Sequence, residues 1–185
     1  MKKVYMKIFG FFSFLGKVVD RLIMIAYKPL FKSCGGRVIF FPRSSVFSYS
    51  TISIGNNVFI GSGCTFQASV SLITIGNKVM FGPNVTIMGG DHNTSVIGKY
   101  MYDVKDKDLD NDLPVIIEDD VWIAANVTIL KGVVIKKGSI VAAGSVVTKS
   151  FPGYSIIAGV PAKIIKARFN SEEINRHEKI LKEED

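Results

Sequence analysis

Residues 117–147 read IEDDVW-IAANVT-ILKGVV-IKKGSI-VAAGSV-V, and an aliphatic side chain opens every six-residue unit: Ile117, Ile123, Ile129, Ile135, Val141 and Val147. The fifth place of the units is Val121, Val127, Val133, Ser139 or Ser145, and the fourth is most often Gly or Asn. A period of six fits neither the 3.6-residue turn of a helix nor the simple alternation of a long strand. It fits a chain that runs extended for a few residues, bends and runs extended again, with first and fifth residues pointing to one side. Gly and Asn suit the bends because they enter the left-handed backbone region at little steric cost. One unit cannot bury its aliphatic residue alone, so successive units must stack around a shared core. The stretch predicts a parallel β-solenoid.

The same register runs upstream. Ile54, Ile60 and Phe66 open one set of units and Ile75, Phe81 and Ile87 the next, with Val58, Cys64, Val70, Val79 and Val85 at the fifth places. Three residues too many separate Ile54 from Ile75, which predicts a bulge within 69–74. The β-branched runs at 38–41 and 50–53 suggest an irregular first coil.

Three stretches are more specific than the period: 117–149, Gly90-Asp91-His92-Asn93, and AGVPAKIIK at 158–166. With the repeats they resemble the hexapeptide-repeat acyltransferases, of the maltose, galactoside and capsular polysaccharide O-acetyltransferase kind, over residues 38–168. The resemblance implies a left-handed β-helix, a winding that the period does not supply and that opposes the usual right-handed crossover. It also implies three units per coil, hence about four coils between Ile54 and Val147. The assembly it implies is a homotrimer with active sites in the grooves between neighbouring solenoids. Acetyl-CoA is the implied co-substrate, and a histidine in the loop following Gly90 is the implied general base.

The bounds set by composition agree with one cytosolic domain. At 185 residues a single sizeable core is expected. Two cysteines and two histidines indicate neither a disulfide framework nor a Cys/His zinc site, so no metal is required. Two histidines also cannot supply a three-histidine metal site, which sets aside a metal-dependent carbonic anhydrase. Cys64, at an inward fifth place, reads as a small core residue.

Residues 1–37 differ from the rest. They carry eight Lys or Arg and one Asp, which equals the +7 excess of the whole chain. Lys7, Lys17, Asp20 and Arg21 interrupt the apolar residues, so a spanning helix is not expected, and no secretory cleavage site stands out. Two readings stay open for this basic amphipathic segment. It can lie on an anionic membrane surface at the inner face of the membrane, or it can cap the open end of the solenoid. Charge concentrated at one terminus, with no basic face interleaved by aromatics, does not suggest nucleic-acid binding.

The repeats stop at Ile87 and resume in phase at Ile117, so 88–116 is a loop excursion. A long structureless excursion within a compact array is usually functional. His92 stands where ordered coil gives way to loop, and an imidazole titrates near neutrality, which suits it to take a proton from a hydroxyl. Asp91 and Asn93 flank it as candidate acceptor contacts. Trp122, the single tryptophan, occupies an outward sixth place and is a candidate partner or substrate contact. By resemblance, Ala125 and Ala143 touch the pantetheine arm of coenzyme A through their backbone. Thr148 and Lys149 lie further along the arm, and Lys163 and Lys166 meet the nucleotide phosphates. Asn170 followed by Glu173 predicts a capped helix within 169–185.

Three readings compete. The first is an O-acetyltransferase acting on a carbohydrate hydroxyl, such as a capsule or exopolysaccharide precursor, by direct transfer without an acyl-enzyme. The second is an amino-sugar N-acetyltransferase, which needs a carboxylate for the amine and has Asp91 as the evident one. The third is a non-catalytic scaffold, which has no need of the interruption at Gly90 together with the alanine bends.

Overall fold

The computed structural model describes residues 2–184; Met1 and Asp185, the outer ends of the segments 1–37 and 169–185, lie outside the described residues. Helix α1 (Lys2–Tyr27) leads into a stack of short strands and helix α2 (Ser171–Glu184) closes the chain. Most strands are two or three residues long, because a six-residue unit spends the remainder on its bend. In chain order they are β1 (Ser33–Cys34), β2 (Val46–Phe47), β3 (Ile52–Ile54), β4 (Phe59–Ile60), β5 (Thr65–Gln67), β6 (Ile73–Ile75), β7 (Met80–Phe81) and β8 (Thr86–Met88). After the excursion come β9 (Val115–Ile117), β10 (Trp122–Ile123), β11 (Thr128–Ile129), β12 (Val134–Ile135), β13 (Ile140–Val141), β14 (Val146–Val147), β15 (Ser155–Gly159) and β16 (Ala162–Ala167).

Every third strand joins the same sheet. The first face is β1-β3-β6-β9-β12, the second β4-β7-β10-β13-β15-β16 and the third β2-β5-β8-β11-β14. All pairs are parallel except β15–β16. Register places the unit-opening residues in columns, such as Ile54–Ile75–Ile117–Ile135 and Phe66–Ile87–Ile129–Val147. These residues and the fifth-place Val58, Cys64, Val79, Val85, Val121, Val127 and Val133 are all but fully buried. Each large one contributes about 1.5–3 kcal/mol by leaving water. The four coils expected between Ile54 and Val147 are present, and β1, Phe40 and β2 form the irregular first one. That coil opens at Ser33, a few residues before the expected position 38.

One fifth place fails. Val70 is 70% exposed, because the bulge at 68–72 lifts it out of phase before β6 resumes the register. The fourth places follow a stricter rule than the sequence suggests. Asn57, Gly63, Lys78, Asn84, Asp120, Asn126, Gly132, Gly138 and Gly144 all hold φ between 55° and 74°. Position in the coil imposes the left-handed turn even on Lys78 and Asp120.

The bends stack into three edges. The first edge, between faces one and two, holds 55–57, 76–78, 118–120 and 136–138. The second, between faces two and three, holds 61–63, 82–84, 124–126 and 142–144. The third, from face three back to face one, holds the bulge, the excursion at 89–114, and 130–132 and 148–150. At the N-terminal end Met24 and Phe31 enter the core, and Phe31, Phe40, Phe47, Phe66 and Phe81 pack ring on ring at 5.1–5.8 Å between successive centroids. At the other end α2 starts with the expected reciprocal cap: Glu173 N–H donates to Asn170 Oδ1 at 2.9 Å and Asn170 N–H to Glu173 Oε2 at 2.8 Å. Lys137 donates to Glu178 Oε2 at 2.8 Å, which ties α2 to the first edge and holds the Glu178 carboxyl below its ordinary range.

Candidate active site

The excursion leaves the third edge through a tight neck. A Cβ on Gly89 would come within 2.5 Å of Ser71 Oγ and 2.8 Å of Ala68 Cβ, and one on Gly90 within 2.0 Å of Asp112 Oδ1. At Gly89 the Ala68 Cβ cannot swing aside, so glycine lets the outgoing chain pass the bulge of the previous coil, while a side chain at Gly90 would have to displace the Asp112 carboxylate. Gly90 bridges Asp112 antiparallel, and Asp91 N–H donates to Asn111 O at 2.8 Å. The neck is thus a two-stranded clamp, and His92 is the first residue beyond it.

Asp91 is used to hold that clamp. Asn111 Nδ2 donates to its Oδ1 at 2.9 Å, and Lys131 Nζ lies 2.7 Å from its Oδ2. Lys131, above all, holds the Asp91 carboxyl below its ordinary range. Lys131 also donates to Asp110 O, so one ammonium ties both limbs of the neck to the next coil. His92 is engaged through its carbonyl, which accepts from Asn111 Nδ2 at 3.4 Å, while the residue is exposed. It borders two cavities. One, of about 490 Å³, lies against Gln67, Ala68, Met88 and Asp112. The other, of about 640 Å³, lies against Thr94, Met101, Tyr102 and Lys131. An imidazole held at its backbone and open on two sides can take a proton from a hydroxyl presented in either cavity.

The other predicted residues divide. Asn93 is buried, and its Oδ1 accepts from Ser95 N–H at 3.0 Å and Ser95 Oγ at 2.8 Å, so it shapes the loop rather than facing either cavity. Trp122 lies outward on the second face, 47% exposed, in line with Phe59, Met80 and Ile140, and lines neither cavity beside His92. Ala125 and Ala143 stack on the second edge, where Gly144 N–H donates to Ala125 O at 3.0 Å. The β15–β16 hairpin continues that edge, because Gly159 N–H donates to Ser145 Oγ. Lys163, opposite Ala158, therefore sits above the alanines, and Lys166 opposite Ile156 follows on the same strand. Thr148 and Lys149 fall on the third edge instead, in the column of His92, with Lys149 Nζ 5.9 Å from the Phe151 ring. Within one protomer the structure groups Ala125, Ala143 and Lys163 on one edge, and His92, Thr148 and Lys149 on another.

The second edge has a property that fits an extended amide-bearing ligand. On the first edge three successive third-place N–H groups are capped from the next coil: Gly36 by Asn56 Oδ1 and Asn56 by Asn77 Oδ1 at 2.8 Å, and Asn77 by Asp119 Oδ1 at 2.6 Å. On the second edge the matching residues are Ser62, Pro83, Ala125 and Ala143, which carry no carboxamide. Among the described residues, no protein acceptor meets the N–H of Ala125 or Ala143. Two small bends with open donors, one coil apart, suit the pantetheine arm of coenzyme A. No group of three or more His, Cys, Asp or Glu suited to a metal occurs among the described residues.

Sequence reasoning missed Lys131 and Asn111. Lys131 was within reach, since counting phase from Ile129 puts it on the edge the excursion leaves. Asn111 lay in a loop with no period to count.

The family models for bacterial transferase hexapeptide (six repeats) and for the hexapeptide repeat of succinyl-transferase match residues 114–149 and 51–87. A probable macrolide acetyltransferase of Lysinibacillus sphaericus is 46% identical over 59 residues, which is 32% of this chain and 33% of that protein. The chain thus aligns with about a third of the length of that curated relative. A hexapeptide-repeat-containing acetyltransferase of Vibrio cholerae O1 biovar eltor, solved with acetyl-CoA, superposes with a TM-score of 0.68 at 30% identity, over 77% of this chain and 74% of that one. A maltose O-acetyltransferase of Clostridium difficile 630 superposes with a TM-score of 0.62 at 31% identity, over 77% and 72%. The three-faced stack fits the left-handed β-helix of these proteins. Repeats, fold and coverage together make this chain a member of the hexapeptide-repeat acetyltransferase family.

Proposed function

We propose that the protein transfers an acetyl group from acetyl-CoA to a carbohydrate hydroxyl, with His92 as general base, in a groove shared by two copies of a homotrimer. The observation that carries the reading is the fixed position of His92, exposed beside two cavities at the neck of the excursion. Acetyl-CoA, when bound, supplies the activated acetyl group. Ala125 and Ala143 offer backbone N–H donors to the arm, and Lys163 and Lys166 offer cations to the phosphates. His92 accepts the hydroxyl proton as the oxygen becomes a nucleophile. A backbone N–H at an alanine bend is placed to meet charge developing on the acyl oxygen. Cys64 is buried and its thiol is pushed up to about 11, which supports direct transfer over a thioester on the protein.

Two observations support the shared groove. The alanine edge and the His92 edge are different edges of one prism, so a neighbour's edge is needed to bring them face to face. The second face also exposes Phe59, Met80 and Trp122 in one line, whereas the matching line of the third face is three threonines, Thr65, Thr86 and Thr128, between Val46 and Val146. An apolar line beside the alanine edge suits contact between copies, in heterologous contacts that close into a ring. A hydroxyl acceptor is favoured over an amine because Asp91 is already paired with Lys131, and Asp112 with Lys107 at 2.7 Å. Neither carboxylate is left to receive an ammonium group. A capsule or exopolysaccharide precursor is the acceptor class to test first.

Release of coenzyme A measured against sugars, lipid-linked glycans and amino sugars tests the reading. Turnover is expected with a hydroxyl acceptor; turnover confined to amino sugars overturns O-transfer. Lys163→Ala and Lys166→Ala are expected to raise KM for acetyl-CoA, and a pure kcat effect counts against their phosphate role.

A further inference from the structure

Helix α1 presents two stripes with the same spacing on opposite sides. Lys17, Asp20, Arg21 and Met24 form one, at i, i+3, i+4 and i+7. This stripe meets the solenoid: its four residues and Ile39, Phe40 and Phe41 surround a cavity of about 160 Å³. Met24 is buried, and Arg43 Nη1 donates to Asp20 Oδ1 at 3.2 Å. Leu15, Val18, Val19 and Leu22 form the other stripe, two residues out of step and so about 200° around the helix. They are 37–62% exposed, and Tyr5 and Phe9 further along are 69% and 76% exposed.

An ordinary surface helix turns its whole apolar stripe to the core. Here only buried Met24, half-buried Ile23 and the Tyr27 ring, 5.5 Å from that of Tyr49, meet the body beside the Asp20–Arg43 pair, and the stripe of Leu15, Val18, Val19 and Leu22 faces away from it. Of the two sequence readings of residues 1–37, capping accounts for Asp20, Met24, Tyr27 and Phe31 and leaves Leu15, Val18, Val19 and Leu22 uncovered.

We infer that α1 lies in the interface of an anionic lipid bilayer. Its apolar stripe enters the acyl boundary, Lys17 and Arg21 reach sideways to the headgroups, and the solenoid is held on the aqueous side. Charge selects this occupant. Residues 1–37 carry the whole +7 excess of the chain, which an anionic surface neutralises and a second α1 would repel. No helix among the described residues is long and apolar enough to cross a membrane, so α1 lies along the surface. Three such helices at one end of a trimer would add avidity to a weak individual contact. Docking through α1 is independent of the chemistry at His92.

Flotation of the full chain with vesicles of phosphatidylcholine alone, or of phosphatidylcholine with phosphatidylglycerol, tests the inference. Binding is expected to the mixed vesicles at low ionic strength, to fall about tenfold or more on neutral vesicles, and to weaken at high salt. Leu22→Glu should weaken binding to the mixed vesicles by a similar factor, with circular dichroism and acetyl-CoA binding unchanged. Absence of binding to anionic vesicles, equal binding to neutral ones, or full binding by Leu22→Glu overturns it. So does loss of self-association by Leu22→Glu in a chain that binds no vesicle, which would assign the stripe to a second copy.

Discussion

The first and second edges of the prism are built from the same six-residue unit and differ in how its third-place N–H is used. On the first edge, Asn56, Asn77 and Asp119 each accept at a side-chain oxygen the backbone N–H of the coil before, which ties three successive turns to the next. On the second, Ala125 and Ala143 occupy the equivalent place, and although Gly144 N–H still donates to Ala125 O, the N–H of neither alanine meets a protein acceptor among the described residues. Side-chain choice at one place in the unit thus decides whether the backbone donor there is used within the solenoid. Where the third-place residue carries an amide or carboxylate, it caps the coil before. Where it carries a methyl, that N–H stays open, and in the function we propose the pantetheine arm takes it.

The comparison can be broken or sharpened by substitution. The largest effect is expected off both edges, at His92→Ala, which should lower kcat by about 10²–10⁴-fold while acetyl-CoA binding, read by calorimetry, is kept. Turnover equal to that of the wild type would remove His92 from its role. On the second edge, Ala143→Leu should raise KM for acetyl-CoA about tenfold or more with an unchanged thermal midpoint, because the added carbons stand where the arm would lie. A fall in midpoint without a change in KM would make this edge structural like the first.

The converse holds on the first edge. Asn77→Ala leaves the Asn56 N–H without its partner and should cost about 1 kcal/mol, or about 2–4 °C in the thermal midpoint, with KM unchanged. A KM effect there would erase the distinction between the edges. The smallest effect is at the neck. Asp91 has its carboxyl lowered by Lys131, so its contribution is complete above the ordinary aspartate value of about 4 and is lost as pH falls through the lower folded value. The protection of amides across 89–114, taken against their intrinsic exchange rates, should therefore fall below about pH 4, and Asp91→Asn should show the reduced protection at neutral pH already.

Much of this was legible in the residues. The first and fifth places foretold the buried columns, and Gly and Asn at the fourth place foretold the turns, because both depend on a few neighbouring residues. Val70 misled because an insertion shifts phase, and the register after a bulge is decided by stacking on the next coil. Asn93 shows a related limit: its side-chain oxygen is used within the loop, by Ser95, which no spacing announces.

What the sequence determined by itself is the coil: its period, its core and the place of the interruption, since each is a local pattern repeated. Only the tertiary structure decided what the candidate residues touch. It paired Asp91 with Lys131 and Asn111, left the N–H groups of Ala125 and Ala143 without a protein acceptor among the described residues, and turned Leu15, Val18, Val19 and Leu22 of α1 away from the body. These are contacts between residues far apart in the chain, set by how coils stack after insertions and by which side of a helix finds a partner. Local periodicity does not carry that information.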